Sequence, residues 1–249
     1  MLYKDYGIVI KQREYADYDR IITVLTCNHG KVVAIAKGVR KLTSNKSAST
    51  DLFVKSKFSF AEGKSLDIVT ETVVESTYEN SKKNLNQIST LFYLAQLLDK
   101  LVVEGDTMQS KDIYQLFEKA LDILNIAFEQ NKSTEILVAA FELHLLKVLG
   151  LLPSFYECVN CEIQLNKCKA FVFKSSSGGI ICDKCSGVTK GNVSIDVLKS
   201  IRYLSEREME KSTRFNCDDS IINSIRQINK GMLEYYGDLG IKTGGSSFT

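Results

Sequence analysis

Four of the seven cysteines stand in two pairs of identical spacing, Cys158-Val159-Asn160-Cys161 and Cys182-Asp183-Lys184-Cys185, with residues 162–181 between them. Two thiolates three positions apart can grip one metal ion from a tight turn, and a second such turn completes the tetrahedron that zinc prefers. Four sulfur ligands leave no position open for water or substrate, so the role expected of a single zinc ion here is structural. Phe171-Val172-Phe173 and Ile180-Ile181 flank Ser175-Ser176-Ser177-Gly178-Gly179. That pattern predicts a hairpin that carries the second pair back to the first. The competing reading is four buried thiols, or a knuckle without metal. Cys168, between the pairs, could replace one ligand but reads better as a spare thiol, and Cys27 and Cys217 as small core or surface residues.

The second constellation is electrostatic. Residues 31–57 contain seven bases, Lys31, Lys37, Arg40, Lys41, Lys46, Lys55 and Lys57, against the single acid Asp51, a local net charge of +6 in a chain whose total is +2. The segment Gly38–Ser47 is rich in small polar residues, as a loop that moulds itself to a phosphate backbone would be. Binders of single-stranded nucleic acid add aromatic platforms for the bases. Phe53 lies among the lysines, and Tyr3, Tyr6, Tyr15 and Tyr18 crowd the N-terminus. The alternative is that these charges are ordinary solvated strand faces and the tyrosines belong to core or rim.

Signatures of catalysis are missing from the sequence: it has no phosphate-binding loop of the GxxxxGK[ST] type, no GxGxxG, no HExxH and no GxSxG. Of the two histidines, His29 falls in a predicted turn and His144 in a helix beside Phe141 and Leu145, where a satisfied structural role is expected. No enzymatic activity is expected. The near balance of 32 Lys+Arg and 30 Asp+Glu excludes a uniformly basic protein, so any nucleic-acid surface must be local. No apolar run approaches the roughly 18 residues that span a bilayer, and the N-terminus has no signal-peptide pattern. A cytoplasmic protein with reduced thiols is expected.

These residues need elements to position them. From Tyr3 to about Glu75 the texture is strand-like, in five runs: Gly7–Gln12, Arg20–Cys27, Lys31–Lys37, Leu52–Ala61 and Ser65–Glu75. Asn28-His29-Gly30 and Glu62-Gly63-Lys64 read as turns. In the fourth run Leu52, Val54, Phe58 and Phe60 share one face and Phe53, Lys55 and Lys57 the other. Five strands in about 80 residues fit an SH3-like barrel or an OB-fold, and the latter is the five-stranded option. From Lys82 the period turns helical, through Leu91, Leu94, Leu98 and Leu101, then Ile113 to Leu124, then Ile136 to Leu149. Two further helices, around Val197–Leu204 and Ile221–Met232, are expected to pack back onto the first three. The fold class is therefore α+β: an OB-fold barrel over 1–80, and an all-helical domain over 81–152 and 191–249 that carries a zinc-ribbon-like insertion at 153–190.

The chain resembles the bacterial recombination mediator family RecO. The resemblance runs through Asp5-Tyr6-Gly7-Ile8-Val9-Ile10, Tyr18–Thr26, Gly30–Lys41 and Phe141–Gly150. The order of barrel, helices, four-cysteine insertion and further helices also looks like that family. It implies an activity without bond chemistry: binding single- and double-stranded DNA, annealing complementary strands, and working with RecR, and with RecF, to load RecA onto strands coated by single-strand-binding protein. It implies a cytoplasmic, nucleoid-associated location. Carried onto this chain, the family's basic surface falls on Lys31, Lys37, Arg40 and Lys41, with Lys46, Lys55 and Lys57 added from charge and alternation. The metal ligands fall on Cys158, Cys161, Cys182 and Cys185. A competing reading is a zinc-ribbon scaffold that binds only protein.

Overall fold

The computed structural model describes residues 1–130 and 133–238. The N-terminal runs become five strands, β1 (Leu2–Tyr15), β2 (Asp19–Thr26), β3 (Lys31–Ala36), β4 (Lys55–Ala61) and β5 (Asp67–Ser76). They close into a barrel in the order β1-β2-β3-β5-β4, with β4 returning to β1. All pairings are antiparallel except β3 with β5, which run parallel through Ala34↔Asp67 and Ile35↔Ile68. The first strand has 14 residues because it serves two neighbours: Leu2–Ile8 pairs with β4 and Gly7–Tyr15 with β2. Its register against β2 slips between Val9 and Lys11, and such a bulge bends a strand around a barrel corner. Val9, Ile22, Val24, Val32, Phe58, Phe60 and Val69 fill the interior.

Period-two alternation holds at Phe58 and Phe60 inside and Lys57 outside, but it fails at the start of the fourth run. β4 begins at Lys55, and Phe53 takes a left-handed backbone with φ +58°. Its N–H donates to the Val9 carbonyl and its ring is buried edge-on against Phe92. The reversal turns the ring inward, away from the basic face on which alternation placed it.

Two helices accompany the barrel, α1 (Leu85–Leu101) and α2 (Ser110–Glu129), and α1 is capped by the Asn84 side chain, which accepts from the Gln87 N–H. They pack against β1 and β2, and with the barrel they make one compact unit, Met1–Lys132. The second unit starts at Ser133. It contains α3 (Glu135–Val148), a hairpin of β6 (Phe171–Lys174) and β7 (Gly179–Cys182), the single turn α4 (Asp183–Ser186), α5 (Ile195–Glu206) and α6 (Asp219–Asp238). Nine of the 14 residues of α3 are buried, so it serves as the axis on which α5 and α6 pack. The two later helices thus find their core at α3 and at each other. Asn229 of α6 anchors the contact by donating to the Ala139 carbonyl at 3.0 Å and to Glu142 Oε2 at 2.8 Å. His144 is half-buried, hydrogen-bonded to the backbone at Arg207 and Leu204, and its Nε2 is left without a partner.

Candidate nucleic-acid interface and metal centre

The hairpin does bring the cysteine pairs together. The sulfurs of Cys158, Cys161, Cys182 and Cys185 all lie within 4.8 Å of one another, two buried and two exposed. A tetrahedron with zinc–sulfur bonds of about 2.3 Å has edges of about 3.8 Å. The Cys161 and Cys182 sulfurs stand 3.7 Å apart. Each pair sits on a turn shaped for the purpose. The first knuckle is closed by the Glu162 N–H donating to the Cys158 carbonyl at 2.8 Å, with Glu162 itself left-handed at φ +59°. The second leaves β7 at Cys182 and ends at Gly187, whose φ of +69° is the left-handed cap that a residue with a side chain adopts only under strain.

The electrostatics suit thiolate at Cys158. Burial alone would push the Cys158 thiol up, but backbone N–H groups of Cys182, Asn160 and Cys161 face its sulfur and bring it down to about 6. Cys185 is pushed up to about 12, first by its hydrogen bond with Cys161 and then by that with Cys182. Donor set and spacing fit one divalent metal ion, so the four cysteines could hold one. Cys168 lies just outside: its sulfur is within 4.8 Å of Cys182 and Asp183 but is not part of the fourfold cluster.

The basic residues of 31–57 do not form one surface. Lys31 is buried, with its ammonium hydrogen-bonded to the Asp99 carbonyl and 3.6 Å from the Asp99 carboxylate. Lys55 is ion-paired to Glu118 at 2.8 Å and Glu75 at 3.1 Å. Burial would lower its ammonium, but those two carboxylates outweigh it and raise it. Both lysines therefore tie the barrel to α1 and α2. Lys46 is half-buried and donates to the Val69 carbonyl at 3.2 Å.

Lys37, Arg40, Lys41 and Lys57 are exposed. The first three follow β3 in the loop that docks on the β1–β2 turn, where the Gly38 N–H donates to Asp19 Oδ1 at 2.8 Å and the Arg40 N–H to the Tyr18 carbonyl at 3.0 Å. Arg40 also pairs with Glu14 at 3.0 Å. The Lys41 ammonium lies over the exposed Tyr18 ring, 5.5 Å from its centre, and Lys57 stands equally over Tyr6. Tyr15 is exposed as well. Tyr3 is not a free platform: its hydroxyl donates to Asp67, and its ring packs on His29 and Phe60.

Comparison with known proteins now adds to this geometry. The family model described as Recombination protein O N terminal matches residues 1–78, and that described as Recombination protein O C terminal matches residues 82–244. The chain belongs to the RecO family. A relative from Moorella thermoacetica, named DNA repair protein RecO, is 29% identical over 97% of this chain and 89% of its own length. Bearers of the same name from Alkaliphilus metalliredigens and Roseiflexus are 29% and 30% identical, covering 92% and 85% of this chain and 92% and 72% of their own. RecO membership joins barrel, helices and cysteine cluster in one family across the cut between the two compact units. Among the described residues no helix is long and apolar enough to cross a membrane.

Residue type and spacing gave no sign of the acids that occupy the cations. Asp99 lies 68 positions from Lys31, and Glu118 comes from a helix of its own. Nor did they mark Asp5, a buried carboxylate of β1 that holds the β2–β3 turn through Asn28 N and Nδ2 at 2.8 Å and His29 Nδ1 at 2.7 Å.

Proposed function

We propose that the chain is a recombination mediator that makes and breaks no bond itself. It binds single- and double-stranded DNA, anneals complementary strands, and acts with RecR, in the pathway that uses RecF, to load RecA onto strands coated by single-strand-binding protein. The observation that carries this reading is the rim of exposed cations, Lys37, Arg40 and Lys41, with Lys41 seated over the exposed Tyr18 ring. Lysine and arginine neutralise phosphates and release their counterions, while an aromatic face accepts any base. Lys57 over Tyr6 repeats the pairing on the outer face of β4. Neutralised phosphates repel a second strand less, and a groove that holds the backbone leaves base edges free to pair. Lys31 and Lys55 act as positioning residues in this scheme, and Lys46 steadies the loop. Residues 1–80 form the DNA-binding domain, 81–152 with 191–249 the helical domain, and 153–190 the metal insertion. One zinc ion, held by Cys158, Cys161, Cys182 and Cys185, supplies a closed cross-link between the two knuckles and no reactive site. The protein works in the cytoplasm, at the nucleoid.

The test is fluorescence anisotropy of a labelled single strand at several salt concentrations, followed by addition of the complementary strand. Binding should fall steeply with salt, and pairing should accelerate. With Lys37→Glu, Arg40→Glu and Lys41→Glu combined, the slope of log affinity against log salt should shrink by about 2, from about 0.7 for each single-strand phosphate contact. An unchanged affinity and slope would remove the loop from the site. No binding by the unaltered protein at low salt would favour the scaffold that binds only protein.

A further inference from the structure

We infer that the metal insertion carries a second nucleic-acid surface, a phosphate-binding groove in the C-terminal unit. The inference rests on the mediator reading and adds to it a site distinct from the barrel loops. Residues 164–190 contain five bases, Lys167, Lys169, Lys174, Lys184 and Lys190, against the single acid Asp183, a local net of +4. All five lysines are exposed, and none forms an ion pair with a carboxylate of the described residues. In this respect the cluster is barer than the barrel's, where Lys31, Arg40 and Lys55 each have an acid partner.

Lys169 and Lys190 line one groove of about 580 Å³. Asn166, Thr189 and Ser194 contribute an amide and two hydroxyls to the same lining, and no carboxylate lines it. Two acids stand near it without lining it: Asp183 has a carboxylate oxygen within 4.8 Å of the sulfur of Cys168, a lining residue, and Asp196, next to the lining residue Ile195, is 3.7 Å from Lys199. The floor is firm. The chain at Gly191 passes so close to β6 that a Cβ there would stand 2.1 Å from the Phe171 carbonyl oxygen. Asn192 Oδ1 accepts from the Phe173 N–H at 3.0 Å, and the Asp183 N–H donates to the Ala170 carbonyl at 3.0 Å. One wall is thus fixed to the hairpin that bears Cys182 and leads into Cys185.

Ammonium groups with supplementary hydroxyl and amide donors suit a repeating monoanion such as a phosphodiester chain. Lysines distributed along 27 residues of insertion also suit a polyanion better than a single carboxylate. A second role for the charge must be weighed against this. Four thiolates around a divalent ion carry a net −2, which nearby lysines would offset. Over the whole insertion, 153–190, the five lysines face Glu157, Glu162 and Asp183 for a net of +2, enough to offset that charge and no more, so the rate of metal release is read beside DNA binding.

The experiment uses the full-length, metal-loaded protein with Lys169→Glu and Lys190→Glu combined, and the neutral pair Lys169→Gln and Lys190→Gln as a check on folding. Three quantities are read: the salt slope of single-strand binding, the annealing rate, and the rate of metal release to a chelator. Both pairs should bind DNA with a slope smaller by about 1.4, at about 0.7 per phosphate contact, and should anneal more slowly, with metal release unchanged. Unchanged slope and annealing in both pairs would overturn the inference while leaving the barrel site intact. Faster metal release with DNA binding unaltered would overturn it too, by assigning the lysines to the metal centre. Failure of the unaltered protein to bind DNA at all would instead remove the mediator reading on which the inference stands.

Discussion

Between Leu2 and Ser76 the chain buries ten apolar side chains in one cluster around Phe58 and Phe60, whereas between Cys158 and Cys185 it gathers four sulfurs within 4.8 Å of one another. The barrel is held by many contacts, each contributing a modest amount. The knuckles have a small apolar share of their own in Leu165, Phe171, Ile180 and Ile181, and segments this short ordinarily need a cross-link or a metal. Stability spread over a core fails gradually under substitution; stability concentrated at one ion is lost in a single step.

The largest effect expected follows from that concentration. Cys182→Ser, or removal of the ion by a chelator, should release the metal and melt residues 153–190 while the barrel stays folded. Structural zinc in small peptides is worth about 10–16 kcal/mol, so partial order is not expected to survive. Metal content with amide exchange over the two regions reads this out, and simultaneous loss of the barrel would contradict it. Phe58→Ala comes next. It should cost the barrel about 3–5 kcal/mol in denaturant unfolding and leave metal stoichiometry unchanged. Loss of metal in that variant would show that the two regions share one core.

The smallest effect concerns pH. Burial, and then the nearby Lys147 charge, hold His144 below its ordinary value of 6.5, against the opposing hydrogen bonds that its ring donates to the backbone at Arg207 and Leu204. The unfolded chain therefore takes up the proton more readily than the folded one. His144 contributes its share of stability fully above about pH 6.5, and that share is lost as pH falls toward the lowered folded value. Between pH 7 and 5, His144→Gln should flatten the fall in stability of the helical unit relative to the unaltered protein, as followed by thermal unfolding. Parallel curves would show that the acid sensitivity of that unit comes from groups other than His144.

The sequence made the barrel legible because period-two alternation and turn residues act locally. The strands differ from the expected runs mainly at their ends, and β1 is longer because pairing with β4 extends it to Leu2. The cysteine cluster was equally legible, since a tight turn fixes two ligands at a time. What could not be read were decisions made at long range. Phe53 points inward because Val9, 44 positions earlier, binds its N–H, and Lys31 is occupied because Asp99 arrives on α1. Of the seven cations chosen by charge, local sequence had no means of separating the four exposed ones, of which Arg40 is still paired with Glu14, from the three that are buried or half-buried and donate to carbonyls or pair with acids inside the barrel unit.

The long first strand also sets a schedule for making the protein. Leu2 pairs with Ala61, and β4 is flanked by β5, which ends only at Ser76. At a synthesis rate of about 5–20 residues per second, roughly 4–15 s pass before the last strand exists. Between the emergence of β2 and that of β4, the later part of β1 can pair with β2 while Leu2–Tyr6 still lacks β4, so one edge of an apolar ribbon that continues into Ile8 and Val9 is open to strangers. The nascent barrel is thus most vulnerable to mispairing in the interval before its own fourth strand emerges.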